Sequence, residues 1–150
     1  SLRNGIAGRD FSEKGVTYLR VGNIRNNRII DKDIKRTNNY LEKDLLNKGT
    51  LLITRKGTVG ESTVVKESNN FVASSEIFII ELKKKILDID ILPEYVSVVN
   101  QSSFLKSQYK DRFTGAFMPS LSQDKLKELL YPIPPIHIQS NIINHINQVN

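Results

Sequence analysis

Residues 131–139 read YPIPPIHIQ, and the fold of the C-terminal third turns on this proline cluster. Proline lacks a backbone N–H, fixes φ and pushes the residue before it into extended geometry. Pro132, Pro134 and Pro135 therefore forbid a helix across the segment. Upstream, Ser122 can cap a helix in which Leu126, Leu129 and Leu130 share one face, stopped by Pro132. Downstream, a helix begins at His137, with Ile138, Ile142, Ile146 and Val149 as an apolar stripe still running at the last residue. The prolines separate two helices.

A catalytic reading of the same prolines fails on residue type. Enzymes that methylate amino groups on DNA bases use an Asp/Asn-Pro-Pro-aromatic tetrapeptide, whose first side chain accepts from the target amine and whose ring stacks on the flipped base. Here Ile133 and Ile136 occupy those places, and neither can accept a proton or offer a π face.

Working back toward the N-terminus, Pro93 suits the first turn of a helix through EYVSVVNQSSFLKSQYKDR, and Gly115 and Pro119 bracket the loop FTGAFMPSLS. VTYLRV (16–21) alternates and is β-branched, so it reads as a strand, followed by the polar loop GNIRNNR. NNYLEKDLLNKG predicts a short helix with Leu41, Leu45 and Leu46 on one face and Gly49 past its end. TLLIT, STVV and FVASSEIFIIEL predict a hairpin-rich sheet whose last strand is long and buried.

Length and composition bound the rest. A chain of 150 residues buries roughly two thirds of its unfolded surface, enough for one core. Its 39% hydrophobic and 25% charged content is that of a soluble globular protein without an apolar run able to span a bilayer. No signal-peptide pattern and no cysteine is present, which fits a cytoplasmic protein without disulfides or a membrane association.

The net charge of +6 is unevenly placed: residues 1–75 hold 14 Lys/Arg against 8 Asp/Glu, whereas residues 76–150 hold 8 of each. The first half looks built to meet an anion, and nucleic acid is the commonest large anionic partner for such an asymmetry because each phosphate neutralised by Lys or Arg releases counterions.

The residues suited to such a partner lie in polar loops. RKGTVG (55–60) combines two cations with glycines that let backbone N–H groups approach an anion, yet it lacks the ending of a nucleotide-hydrolysing phosphate loop. Arg55, Lys56 and Thr58 are its candidates for phosphates and base edges. Asn23, Arg25, Asn26 and Arg28 form a second group, and Ser74, Ser75, Arg112, Thr114 and Ser120 complete the set. Phe113 and Phe117 flank Gly115 and could anchor their loop or wedge against bases.

Other chemistries have less to stand on. His137 and His145 are eight apart on one helix, whereas helical metal ligands want spacings of three or four. No serine lies in a nucleophile elbow. Glu81-Leu82-Lys83 ends an apolar strand in the Glu-x-Lys pattern of magnesium-dependent nucleases, but no Asp lies between Asp44 and Glu81 to share the metal. A nuclease using Glu81 and Lys83, or an interaction module without DNA binding, are the alternatives.

Taken in order, GVTYLRVGNI, YLEKDLLNKGTLLITRKGTVG, ASSEIFIIEL and TGAFMPSLSQDKLKELLYPIPPIHIQSNII resemble the target recognition domain of type I restriction-modification specificity subunits. The family's Ile-Pro-(Leu)-Pro-Pro-x-x-x-Gln segment is YPIPPIHIQ here, with Gln139 in place. Ile138 replaces the usual Glu, and the leucine between the prolines is absent.

The resemblance implies an α/β (α+β) domain with a curved, mostly antiparallel sheet, flanking helices, and a C-terminal amphipathic helix leading into a spacer or coiled coil. It implies recognition by residues 1–136 and a spacer or dimerisation helix starting in 137–150. It further implies a non-catalytic reader of one half of a split DNA target. Methyl transfer and cleavage, with their S-adenosylmethionine, Mg²⁺ and ATP, belong to methylase and restriction subunits or fused domains. Ile138, Ile142, Ile146 and Val149 would then face a partner helix or a second copy.

Overall fold

Two apolar runs, LLIT and IFII, show no polar alternation, the pattern of strands covered on both faces. They become neighbours in the central layer. The computed structural model describes residues 1–149. In chain order its strands are β1 (Leu2–Asn4), β2 (Phe11–Ser12), β3 (Val16–Leu19), β4 (Ile24–Arg25), β5 (Arg28–Ile29), β6 (Lys35–Thr37), β7 (Leu51–Thr54), β8 (Ser62–Val64), β9 (Phe71–Ala73), β10 (Ile77–Ile80), β11 (Lys85–Ile86) and β12 (Ile89–Asp90). Helices α1 (Pro93–Val99), α2 (Ser103–Arg112), α3 (Gln123–Leu126) and α4 (Ile136–Val149) follow.

The central sheet has the order β1-β10-β7-β8, antiparallel throughout, with Ile77 opposite Thr54 and Leu51 opposite Val64. Because strand side chains alternate, Leu51, Ile53 and Phe78 face the helices, where they meet Tyr95, Val96, Leu105, Tyr109, Leu121 and Leu126. Leu52, Ile77 and Ile79 face the other way, against Leu19, Ile24, Leu46 and Ala73. That second layer is the sheet β2-β6-β3-β9, antiparallel except for the parallel pair β3–β9. The mostly antiparallel strands with flanking helices are as expected, and they are divided between two four-stranded sheets with the two-stranded hairpins β4–β5 and β11–β12 beside them.

The join explains why FVASSEIFIIEL is not one long strand. It breaks at 74–76, where Ile77 N–H donates to the Ser74 carbonyl and Glu76 N–H donates to Ser74 Oγ, so β9 and β10 enter different sheets. The Ser-Ser-Glu interruption of the apolar run is a turn. The N-terminal segment ties both sheets together: Gly5 N–H donates to Ile77 O and Ile6 N–H to Ala73 O. A side chain at Gly5 would put its Cβ 2.1 Å from the Ala73 carbonyl oxygen, so only glycine fits this crossing.

Three helical expectations are corrected. NNYLEKDLLNKG forms only a 3₁₀ turn at Glu42–Asp44, because Asp44 accepts from Leu41 N–H and Leu46 runs extended beside β9, exchanging backbone bonds with Phe71 and Asn69. Tertiary pairing overrides helix propensity there, and Leu41 is left exposed. The helix through 94–112 is two helices, broken where the buried Asn100 turns its side chain inward and Ser102 Oγ caps α2. The Leu-rich helix shrinks to α3, with Ser122 as its cap, and leaves Leu130 exposed rather than on the buried face.

The proline segment behaves as its chemistry demands. Residues 131–135 are non-helical and supply acceptors: Pro132 O takes the Tyr95 hydroxyl at 2.6 Å and Pro134 O takes Gln139 Nε2 at 2.9 Å. Gln139 is fully buried, accepts from Leu92 N–H at 3.0 Å and also donates to Asp90 O at 2.7 Å. One amide therefore fastens α4 to both the proline segment and the β11–β12 hairpin. Helix α4 begins at Ile136, one residue before the expected start. Its apolar stripe splits: Ile142 packs on the helical core and Ile146 lines a recess beside Val98 and Val99, while Ile138 and Val149 are exposed.

Candidate nucleic-acid interface

Antiparallel pairing puts the end of β7, the start of β8 and the start of β10 at one end of the central sheet. The loops 55–61 and 74–76 therefore emerge side by side, and loop 113–121 folds over onto them. Lys56 bridges Ser120, and Thr114 bridges Ser120 in turn. Gly57 N–H donates to Pro119 O at 2.8 Å, and Leu121 N–H donates to Arg55 O at 2.8 Å. Seven of the sequence candidates, Arg55, Lys56, Thr58, Ser74, Ser75, Thr114 and Ser120, are thus drawn into one cluster from three separate stretches of chain.

Their roles within it differ. Arg55 is partly buried: Nη1 donates to Ser75 O at 3.2 Å, Nε donates to Leu121 O at 3.3 Å, and the guanidinium lies 5.5 Å from the Phe78 ring centroid. It clamps the loops together. Ser74 is buried and accepts from Glu76, so it shapes the turn. Thr58 and Thr114 are exposed and Lys56 and Ser120 partly so, which leaves these side chains at the surface of the cluster. Arg112 folds back on its helix, donating to Gln108 O at 3.1 Å and lying 4.0 Å from Glu128.

GNIRNNR is a tight hairpin, β4–β5, rather than an open loop. Asn26 and Asn27 carry φ of 50° and 61°, the left-handed pair that a two-residue hairpin requires and that asparagine tolerates. Arg25 stands directly opposite Arg28, both exposed. Like charges set directly opposite each other across a strand pair are unfavourable by themselves. Asn26 N–H donates to Glu61 Oε2 at 3.0 Å, and the Asn27 side chain accepts from Ser97, which joins this hairpin to the 55–61 loop and to α1.

Asn23 is a correction. It is 2% exposed, its Nδ2 donates to Ile30 O and Lys32 O at 3.1 and 2.9 Å, and its Oδ1 accepts from Arg20 N–H at 3.0 Å. Both amide hydrogens are used and the side chain is sealed from the surface, so it holds the hairpin base rather than facing a nucleobase. Beside it Arg20, Lys32 and Glu76 line a recess that the sequence reading missed. Lys35 and Arg36 on β6 were also missed, although the surplus of cations in residues 1–75 was the available signal.

The ion pairs sharpen that asymmetry. Lys85–Asp90, Arg112–Glu128 and Lys125–Glu128 all neutralise cations of the second half. Among the described residues, Arg28 apart, no side-chain pair neutralises a cation of the first half. Glu81 and Lys83 lie past the opposite end of the central sheet, beside an apolar cleft lined by Leu2, Ile80, Leu82 and Ile133. No group of three or more His, Cys, Asp or Glu that could hold a metal occurs among the described residues. Among the described residues, no helix is long and apolar enough to cross a membrane.

The chain matches the family of the type I restriction modification DNA specificity domain over residues 6–150, and it belongs to that family. No curated protein matches it. Among solved structures it is similar to the S subunit of a type I restriction-modification system from M. genitalium, with a TM-score of 0.70 and 14% identity. It is also similar to the HsdS subunit from Thermoanaerobacter tengcongensis, with a TM-score of 0.61 and 11% identity. A third likeness, with a TM-score of 0.64 and 11% identity, is to a structure of the complex assembly and conformational transition of a type I R-M system. Each covers 99% of this chain but only 36, 34 and 35% of the other, so the chain spans about a third of their length. At these identities the likeness is one of fold.

Proposed function

We propose that this domain recognises a specific double-stranded DNA sequence for a restriction-modification system, in the cytoplasm, while methyl transfer and cleavage are performed by partner methylase and restriction subunits or by fused domains. Those partners would bind S-adenosylmethionine, Mg²⁺ and ATP. In this reading Lys56, Arg25 and Arg28 hold phosphates and set register, and Thr58, Thr114, Ser75 and Ser120 read base edges. Helix α4 offers its exposed Ile138 and Val149 to a helix of a partner or of a second copy.

The observation that carries this reading is the joining of the 55–61, 74–76 and 113–121 loops at one sheet end, where Lys56 of the cation-rich first half pairs with Ser120. It is supported by membership of the specificity-domain family. Selection of the 150-residue chain on randomised duplexes tests it. An enriched motif, bound with an affinity that falls log-linearly with salt, is expected. Retention of no duplex in dilute buffer defeats the reading, and Mg²⁺-dependent cleavage abolished by Glu81→Ala would replace it with a nuclease.

A further inference from the structure

Phe117 is the most exposed large apolar side chain described, at 102% of its reference area, and Met118 beside it is 57% exposed. Loop tips usually present polar residues, since a solvated ring of this size is unfavourable. The ring is nonetheless held outward by a firm base. Thr114 and Ser120 exchange both backbone bonds, at 2.9 and 2.8 Å. Gly115, with φ of +99°, makes the reversal that lets Ala116, Phe117 and Met118 project. A Cβ at Gly115 would lie 2.5 Å from the Met118 carbonyl oxygen.

The base of this loop is the partner of Lys56, so the ring projects three residues from a backbone paired with the cationic turn. We infer that Phe117, flanked by Met118, is an apolar wedge that stacks against or enters a base step of bound duplex DNA while Lys56 and Thr58 hold the adjoining backbone. This rests on the DNA-binding reading above and adds a distinct contact to it. A wedge pays for local unstacking with apolar burial and selects sequences whose steps open easily, which gives specificity without a base-edge hydrogen bond.

The chain contains no tryptophan, so Phe117→Trp supplies a single fluorescent reporter at the tip. A random-sequence duplex pool labelled with fluorescein reports binding by anisotropy, and the indole reports its own surroundings. Stacking quenches the indole and shields it from acrylamide as duplex is added. Phe117→Ala should weaken binding about tenfold, within the range for loss of one base–aromatic stack, while Phe117→Leu, which keeps a wedge, should retain part of it. Duplex binding with the indole still fully accessible overturns the wedge and leaves the DNA-binding reading intact. No duplex binding by the wild-type chain overturns both. Shielding that requires added methylase subunit instead of DNA makes the tip a protein contact and overturns the inference.

Discussion

The Arg55 guanidinium donates to the Ser75 carbonyl at 3.2 Å, across the gap between two loops that leave the same sheet end. Its other bond, to Leu121 O, reaches a third loop. A planar fork serves both acceptors at once, whereas a lysine ammonium on a flexible stem would not. Arg55 is therefore part of the frame, and its neighbour Lys56 is the cation left partly exposed at this sheet end.

The two residues should separate in experiment. Arg55→Ala should cost about 1.5–3 kcal/mol of stability, as expected for lost charged hydrogen bonds, and Arg55→Lys should not restore it. Lys56→Ala should leave the urea midpoint unchanged and reduce the salt slope of duplex binding by about 1. Urea titration and affinity measured across a salt series decide the matter; an Arg55→Ala chain of unchanged stability would show that the clamp is not needed.

Gln139 gives a second test. Replacing it with leucine strands Leu92 N–H and two carbonyl oxygens in a buried place, at about 1–3 kcal/mol for an orphaned group. Gln139→Glu should be worse, because a carboxylate would face the carbonyls of Asp90 and Pro134 where the amide now donates. Hydrogen exchange should rise first in α4 and in the β11–β12 hairpin.

Gly115→Ala should act on binding more than on folding. Its Cβ meets the Met118 carbonyl and its φ disfavours any side chain, so the Thr114–Ser120 closure should loosen. Because the loop is exposed, the melting temperature should move little while duplex affinity falls several-fold. Equal loss of both would place Gly115 in the folding core instead.

Alkaline pH should destabilise the domain through one buried cluster. Tyr109 and Tyr131 both donate to Asn100 Oδ1, at 2.5 and 2.7 Å, and Asn100 Nδ2 donates to Gly60 O at 2.6 Å. Burial raises both tyrosines above the ordinary value of 10.0, Tyr131 to about 12. The unfolded chain therefore releases these protons first, so their stabilisation is complete below pH 10 and is lost as pH rises toward 12. Tyr131→Phe should make the fall in stability over that window shallower in a urea series.

Much of this architecture was legible because it rests on local chemistry. The prolines at 132, 134 and 135 stop a helix in any context, Ser122 caps as a serine does, and LLIT and IFII announce strands. What was misread depends on distant partners. Leu46 leaves a helical pattern because Phe71 and Asn69 claim its backbone, and Asn100 breaks a helix to reach Gly60 and two tyrosines. The candidate interface divides along the same line. Residue type picked out the loops that meet, but nothing local reveals that Asn23 is sealed inside a hairpin base or that Arg55 works as a clamp.

The two-sided covering of the central sheet has a consequence for how such a protein can vary. Both faces of β7 and β10 are covered from Leu51 to Ile53 and from Ile77 to Ile79, so those stretches demand chiefly bulk and greasiness, and many substitutions supply both. Everything distinctive is exiled to the rim. A scaffold arranged in this way can be rewritten at its edge without renegotiating its interior, and relatives can retain one trunk while barely a residue in eight agrees between them.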